Sequence, residues 1–208
     1  MPLSPPVSRQ LRHRRAIRLE AFEREDGLWD IEARLTDEKP RDVHLASGVR
    51  PNGLPIHELW LRITIDRKLT IVDAEASSEW APYGSLCAES NPVYRSLIGL
   101  NLLQNFRREA NRVLRGTVGC THLTELCAVL PTAAIQAFAG EVWNIENGNP
   151  EGEASAPSEE KPPFQLGRCN ALRFDGPAVG EYYPRWFGHK PRDPRDPDQR
   201  AGSEEKTG

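Results

Sequence analysis

His57-Glu58-Leu59-Trp60-Leu61-Arg62-Ile63-Thr64-Ile65-Asp66 alternates without a break. His57, Leu59, Leu61, Ile63 and Ile65 fall on one side, and Glu58, Trp60, Arg62, Thr64 and Asp66 on the other. A period of two is the strand period, and it leaves one apolar face that something else must cover. Arg67-Lys68 turns the chain, and Leu69, Ile71, Asp73 and Glu75 carry the alternation into a partner strand. Upstream, Ile17, Leu19 and Ala21 alternate with polar residues as far as Glu25. Asp26-Gly27 then reads as a two-residue hairpin turn, because both turn positions favour positive φ. Trp29, Ile31, Ala33 and Leu35 alternate with Leu28, Asp30, Glu32 and Arg34 as the returning strand. Two hairpins predict an α+β domain whose N-terminal half is an antiparallel four-stranded sheet, covered on one face by two or three helices.

The covering helices follow in the chain. Asn91-Pro92 is a helix start, with Asn as cap and Pro at the first helical position. Tyr94, Leu97 and Ile98 open an apolar stripe that breaks near Gly99 and resumes through Leu102, Leu103, Phe106, Ala110, Val113 and Leu114. Gly116 ends that helix. A second begins at Cys120 or Thr121, with Leu123, Leu126, Cys127, Leu130, Ala134 and Phe138 at helical spacing, and Pro131 inside it must kink or break it. Between the hairpins, residues 37–55 are rich in Pro, Gly and charge, and their length suits a lid or binding loop better than a connector.

Composition sets the boundaries. Residues 1–8 are expected to be disordered, 9–143 to form the core domain, 144–163 to be a disordered linker, 164–187 to dock back on the core, and 188–208 to be a disordered tail. With 27 Lys+Arg against 30 Asp+Glu the formal charge is −3, so electrostatics demand no nucleic acid. No apolar run approaches the ~20 residues of a spanning helix, and Met1-Pro2-Leu3-Ser4-Pro5-Pro6 lacks the apolar region of a signal peptide. The expected setting is cytoplasmic, with no membrane partner. Four widely spaced cysteines (Cys87, Cys120, Cys127, Cys169) form no CxxC pair and suit reduced thiols. A homo-oligomer and a cofactor both stay open.

The reactive groups concentrate in Gly119-Cys120-Thr121-His122-Leu123-Thr124-Glu125-Leu126-Cys127. At a helix start, unpaired N–H groups favour a thiolate at Cys120 and a neutral imidazole at His122, while Gly119 lets a ligand approach the backbone. Glu125, three residues on, shares a face with His122 and can orient it. The competing readings are a buried small residue for Cys120 and backbone capping for His122 and Glu125. Cys127 lies on the apolar stripe and belongs to the core. His57 heads a strand as a second acid/base or as a satisfied core histidine. Arg62 and Arg107 are candidates to hold a substrate carboxylate. These groups suggest a small catabolic enzyme of lyase, isomerase or hydrolase type, acting on an aromatic or carboxylate metabolite. The alternatives are a metal- or iron–sulfur-binding assembly protein using Cys87, Cys120 and His122, and a non-catalytic ligand-binding or interaction module.

The Arg-rich segment Arg9–Arg18 joins three stretches in a specific combination. They are Asp26-Gly27-Leu28-Trp29-Asp30-Ile31-Glu32, the His57–Asp66 run and Gly119–Leu126. Together they resemble the bacterial DUF2889 family over about residues 9–187 without the linker. The resemblance implies one domain and carries no activity or catalytic residues with it. In outline, a sheet followed by helix starts bearing Cys87 and Cys120-x-His122 is also similar to iron–sulfur scaffold proteins. The chain departs from them in having no Cys-Gly pair and no adjacent His-Cys.

Overall fold

A computed structural model describes residues 3–143, 162–163 and 165–190. The chain divides into two compact units, Met1–Phe138 and Ala139–Gly208. In the first, strands β1 (Arg14–Glu23), β2 (Trp29–Glu38), β5 (His57–Ile65) and β6 (Ile71–Trp80) form one antiparallel sheet in the order β1-β2-β5-β6. This is the two-hairpin sheet of the sequence reading. Trp29, Ile31, Ala33 and Leu35 of β2 lie opposite Ile65, Ile63, Leu61 and Leu59 of β5, and all eight are buried.

Both hairpin turns differ in one detail from expectation. Gly27 N–H bonds to Arg24 O at 3.0 Å and Arg24 N–H to Leu28 O at 2.9 Å, so the turn holds Glu25, Asp26 and Gly27, with Gly27 at φ 81°. The second turn repeats the pattern: Leu69 N–H bonds to Asp66 O at 2.9 Å and Asp66 N–H to Thr70 O at 3.0 Å. There Leu69 occupies the left-handed position at φ 63° and is fully buried. Three-residue turns with a left-handed last residue fit the strand twist as well as the two-residue form does.

The segment over residues 37–55 is more ordered than a lid. Its first two residues complete β2, and β3 (Val43–Leu45) and β4 (Gly48–Arg50) pair as a small separate hairpin. Strand β6 runs on through Ser77 to Trp80, past the alternation that ends at Glu75, before the short α1 (Ser85–Ala88).

Each expected helix is divided. Asn91–Leu97 is a 3-10 helix, Gly99 turns out of it at φ 87°, and α2 (Phe106–Leu114) starts afresh. After α3 (Thr121–Cys127) the chain breaks, and α4 (Leu130–Phe138) carries Pro131 in its first turn. Proline is tolerated there because that N–H has no intrahelical partner to lose. Helix α3 packs on β2 and β5, α4 on β1 and β2, and the 3-10 helix on β6. Leu123, Leu126, Leu130, Ala134 and Phe138 complete the core, with the Phe138 ring 5.1 Å from Trp29. Cys127 is buried among them, and burial pushes its thiol up to about 12.

The second unit contains α5 (Pro177–Tyr182) and a 3-10 turn at Pro184–Trp186. Gly188 N–H returns to Phe174 O at 2.9 Å, and the His189 ring lies 5.0 Å from that of Phe174. Except for Pro162 and Pro163, the linker expected over 144–163 lies outside the described residues. So do Met1, Pro2, Phe164 and the tail beyond Lys190. No helix among the described residues is long and apolar enough to cross a membrane.

Candidate functional site

Strand register builds the site. Arg15 of β1 pairs with Asp37 of β2, and Asp37 pairs with His57 of β5. The three form a cross-strand row at one end of the sheet, on the face that the helices cover. The row continues the parity of the core: Leu35 and Leu59 are the next pair inward.

Asp37 is the hub, with its side chain only 5% exposed. Its Oδ1 accepts from Arg15 Nε at 2.9 Å and from His13 Nε2 at 2.7 Å. Its Oδ2 accepts from Arg15 Nη2 at 2.7 Å and from His57 Nδ1 at 3.1 Å. Burial opposes the Asp37 charge, but the hydrogen bonds from Arg15 and His13 and the nearby positive charge outweigh it and hold its pKa at about 2. For His57 the balance runs the other way. Burial and the neighbouring His122 lower its pKa, with Asp37 opposing them only in part. A neutral His57 donating from Nδ1 to an ionised carboxylate leaves Nε2 as the basic nitrogen.

Helix α3 brings the second half of the site. The His122 ring lies over that of His57, with centroids 4.0 Å apart and planes inclined by 31°. Cys120 Sγ and His122 Nδ1 are 3.9 Å apart. A donor atom from each of Asp37, His57 and His122 lies within 4.8 Å of the other two, a group that can hold a metal ion.

Tyr94 sets the start of α3. Its fully buried ring carries a hydroxyl that donates to Cys120 O at 2.9 Å and bonds Thr124 Oγ1 at 2.9 Å. Burial raises its phenol above the ordinary range. Gly119 completes the fit: a Cβ there would lie 3.1 Å from Leu114 O and Thr124 Oγ1 and 3.2 Å from the Tyr94 oxygen. The glycine therefore admits protein atoms, not a ligand as its place in the sequence suggested.

Cys120, His122 and His57, singled out from sequence, thus lie together. Glu125 joins them differently from expectation. Its Oε2 accepts from Arg15 Nη1 at 2.5 Å, so it ties α3 to β1 rather than orienting His122. Arg62 is on the opposite sheet face, paired with Glu75 and Glu32. Arg107 donates to Ala128 O at 3.0 and 3.2 Å and so caps the end of α3. Neither arginine reaches the cluster to hold a substrate there. Cys87 belongs to α1 and is not among the grouped metal donors.

The sequence reading passed over Asp37, and it placed Arg15 and His13 in a basic arm, to bind an anion or face solvent, rather than on this carboxylate. The signal was parity: Asp37 follows Trp29, Ile31, Ala33 and Leu35 on the inward side of β2, where an acid needs partners. Treating Asp37 as the first loop residue concealed it.

His13, Arg15, Asp37, His57, Cys120, His122 and Glu125 all lie within the part of the chain that matches a family model, residues 13–136. No curated protein and no solved structure matches the chain. The matching model, described as a protein of unknown function, spans more than half of the chain, which therefore belongs to the DUF2889 family.

Proposed function

We propose that this protein is a small enzyme, cofactor-independent or metal-assisted, of lyase, isomerase or hydrolase type, acting on an aromatic or carboxylate metabolite. One observation carries the reading. An Asp37-oriented, neutral His57 lies against His122, which in turn lies beside the Cys120 thiol. A buried carboxylate–imidazole pair next to a second imidazole and a thiol is an arrangement suited to moving protons, because the carboxylate sets the tautomer and the thiol supplies a nucleophile. In the cofactor-independent form of this reading His122 takes the Cys120 proton, the thiolate sulfur adds to a substrate carbonyl carbon as the C=O π pair moves to oxygen, His122 returns the proton to that oxygen, and the His57 Nε2 lone pair is the base for a further proton of the substrate. Arg15, Glu125 and His13 position these groups without touching substrate.

The four cysteines are free, which suits a reducing compartment such as the cytoplasm. The assembly-protein reading through Cys87 draws no support from this geometry. The direct experiment incubates the full chain with pools of small carboxylic and aromatic metabolites and follows their consumption by mass spectrometry. Consumption of a single compound class, lost in Cys120→Ser and in His57→Gln, is the expected result. Full turnover in both variants would remove the proposal.

A further inference from the structure

We propose that Asp37, His57 and His122 form a site for a zinc-class divalent ion, with its fourth position open beside Cys120. The inference concerns the cluster of the preceding section but requires no turnover, so each can fail alone.

Three donors of the types that bind zinc come from three elements, β2, β5 and α3, and converge within 4.8 Å. One of the three separations is already at coordination geometry. Two N/O ligands about 2.1 Å from one ion lie about 3.0 Å apart at a right angle and about 3.4 Å apart at the tetrahedral angle. Asp37 Oδ2 and His57 Nδ1 are 3.1 Å apart. A ring nitrogen of His122, on the half-buried start of α3, has to close from within 4.8 Å to the tetrahedral spacing, a movement of up to about 1.4 Å.

Asp37 can serve without releasing its anchors. Its contact with His57 is the longest of its four side-chain hydrogen bonds, and ligation through the Oδ2 lone pair that now meets His57 leaves Arg15 Nε and His13 on Oδ1 and Arg15 Nη2 on the other lone pair of Oδ2. Hydrogen-bonded carboxylate ligands of this kind are the rule at metal centres, since the outer partners fix their orientation. Ion binding moves the proton of neutral His57 from Nδ1 to Nε2 and presents the Nδ1 lone pair.

His122 strengthens the case. Among the described residues its polar partner is Cys120 Sγ at 3.9 Å, so its ring is not held by a carbonyl or carboxylate as a structural histidine usually is. Three protein donors and one open position describe a catalytic rather than a structural zinc site. An ion there would polarise a substrate carbonyl or acidify a bound water next to the Cys120 thiol.

The test titrates the metal-stripped full chain with Co2+, read by its visible d–d bands, and with Zn2+ in competition. The expected result is one ion per chain with tetrahedral bands. His122→Ala and His57→Ala should each weaken it by more than about 100-fold, beyond what loss of an outer partner causes, and Arg15→Ala by about 10–100-fold. Cys120→Ser should bind within about threefold of wild type, because it supplies no ligand, while losing any turnover. Circular dichroism checks that each variant is folded, and His122, on the half-exposed helix start, decides the matter if His57→Ala does not fold. No saturable binding, or binding that His122→Ala leaves unchanged, overturns the proposal.

Discussion

The hydroxyl of Tyr94 donates to the carbonyl oxygen of Cys120 at 2.9 Å, so a buried phenol on the 3-10 helix holds the residue at which α3 begins. Two bonds and a ring at zero exposure make Tyr94 the anchor of the half of the site that comes from the helices.

Tyr94→Phe keeps the ring and removes both bonds. It leaves Thr124 Oγ1 and the Cys120 carbonyl without that partner, at a cost of about 1–3 kcal/mol. Urea unfolding measures the loss. Alkylation of Cys120 by iodoacetamide should quicken as the helix start loosens, and an unchanged rate would show that Tyr94 does not anchor it.

Gly119→Ala inserts a methyl group 3.1–3.2 Å from three oxygen atoms, two of them on Tyr94 and Thr124. The start of α3 must shift by several tenths of an ångström, and overpacking of this kind costs about 1–3 kcal/mol. A thermal melt that matches wild type would mean the pocket around Gly119 is looser than these distances say.

Asp37→Asn places an amide where Arg15, His13 and His57 all donate. The amide nitrogen then faces a donor, and the Arg15 guanidinium loses its main counter-charge. A loss of about 2–4 kcal/mol follows, between the cost of an unmet hydrogen bond and that of a broken buried ion pair. Chemical denaturation near neutral pH tests it, and a change under about 0.5 kcal/mol, no more than a typical surface substitution, would rule out Asp37 as the structural hub.

The pH dependence of stability has a defined sign. The folded-state pKa of His57 lies below the ordinary 6.5, so the unfolded chain binds more protons as pH falls through that value. Stability contributed by neutral His57 is complete above about pH 6.5 and falls on acidification toward its folded pKa. Asp37, held at about 2 against an ordinary 3.8, acts in a lower window: its contribution is complete above about pH 4 and is lost only toward pH 2. Unfolding free energies between about pH 5 and pH 8 should therefore slope downward on the acid side in wild type and less steeply in His57→Gln. Equal slopes would show that burial of His57 does not govern its titration.

Much of this was legible in advance, residue by residue. The alternation in His57–Ile65 and Trp29–Leu35 identified the buried face, and all of those inward apolar residues are in the core. Helix α3 begins at Thr121, one of the two starts the sequence left open, and Cys127 is buried as its place on the stripe implied. Helix lengths were overestimated because an apolar stripe continues through a backbone break: Leu97 and Leu102 both pack inward although Gly99 turns the chain between them.

The sequence by itself determined the four strands of the main sheet over most of their length, the inward faces of β2 and β5 and the approximate places of the two hairpin turns, because each depends on side-chain parity and backbone preference within a few residues. It could also nominate Cys120, His122 and His57 as reactive types. Only the tertiary structure decided that Asp37 joins them, and that Glu125 answers Arg15 across 110 residues of chain. The reason is physical. A hydrogen bond to a carboxylate depends on cross-strand register and on where a helix crosses the sheet, and both come from packing of the whole core rather than from any local period.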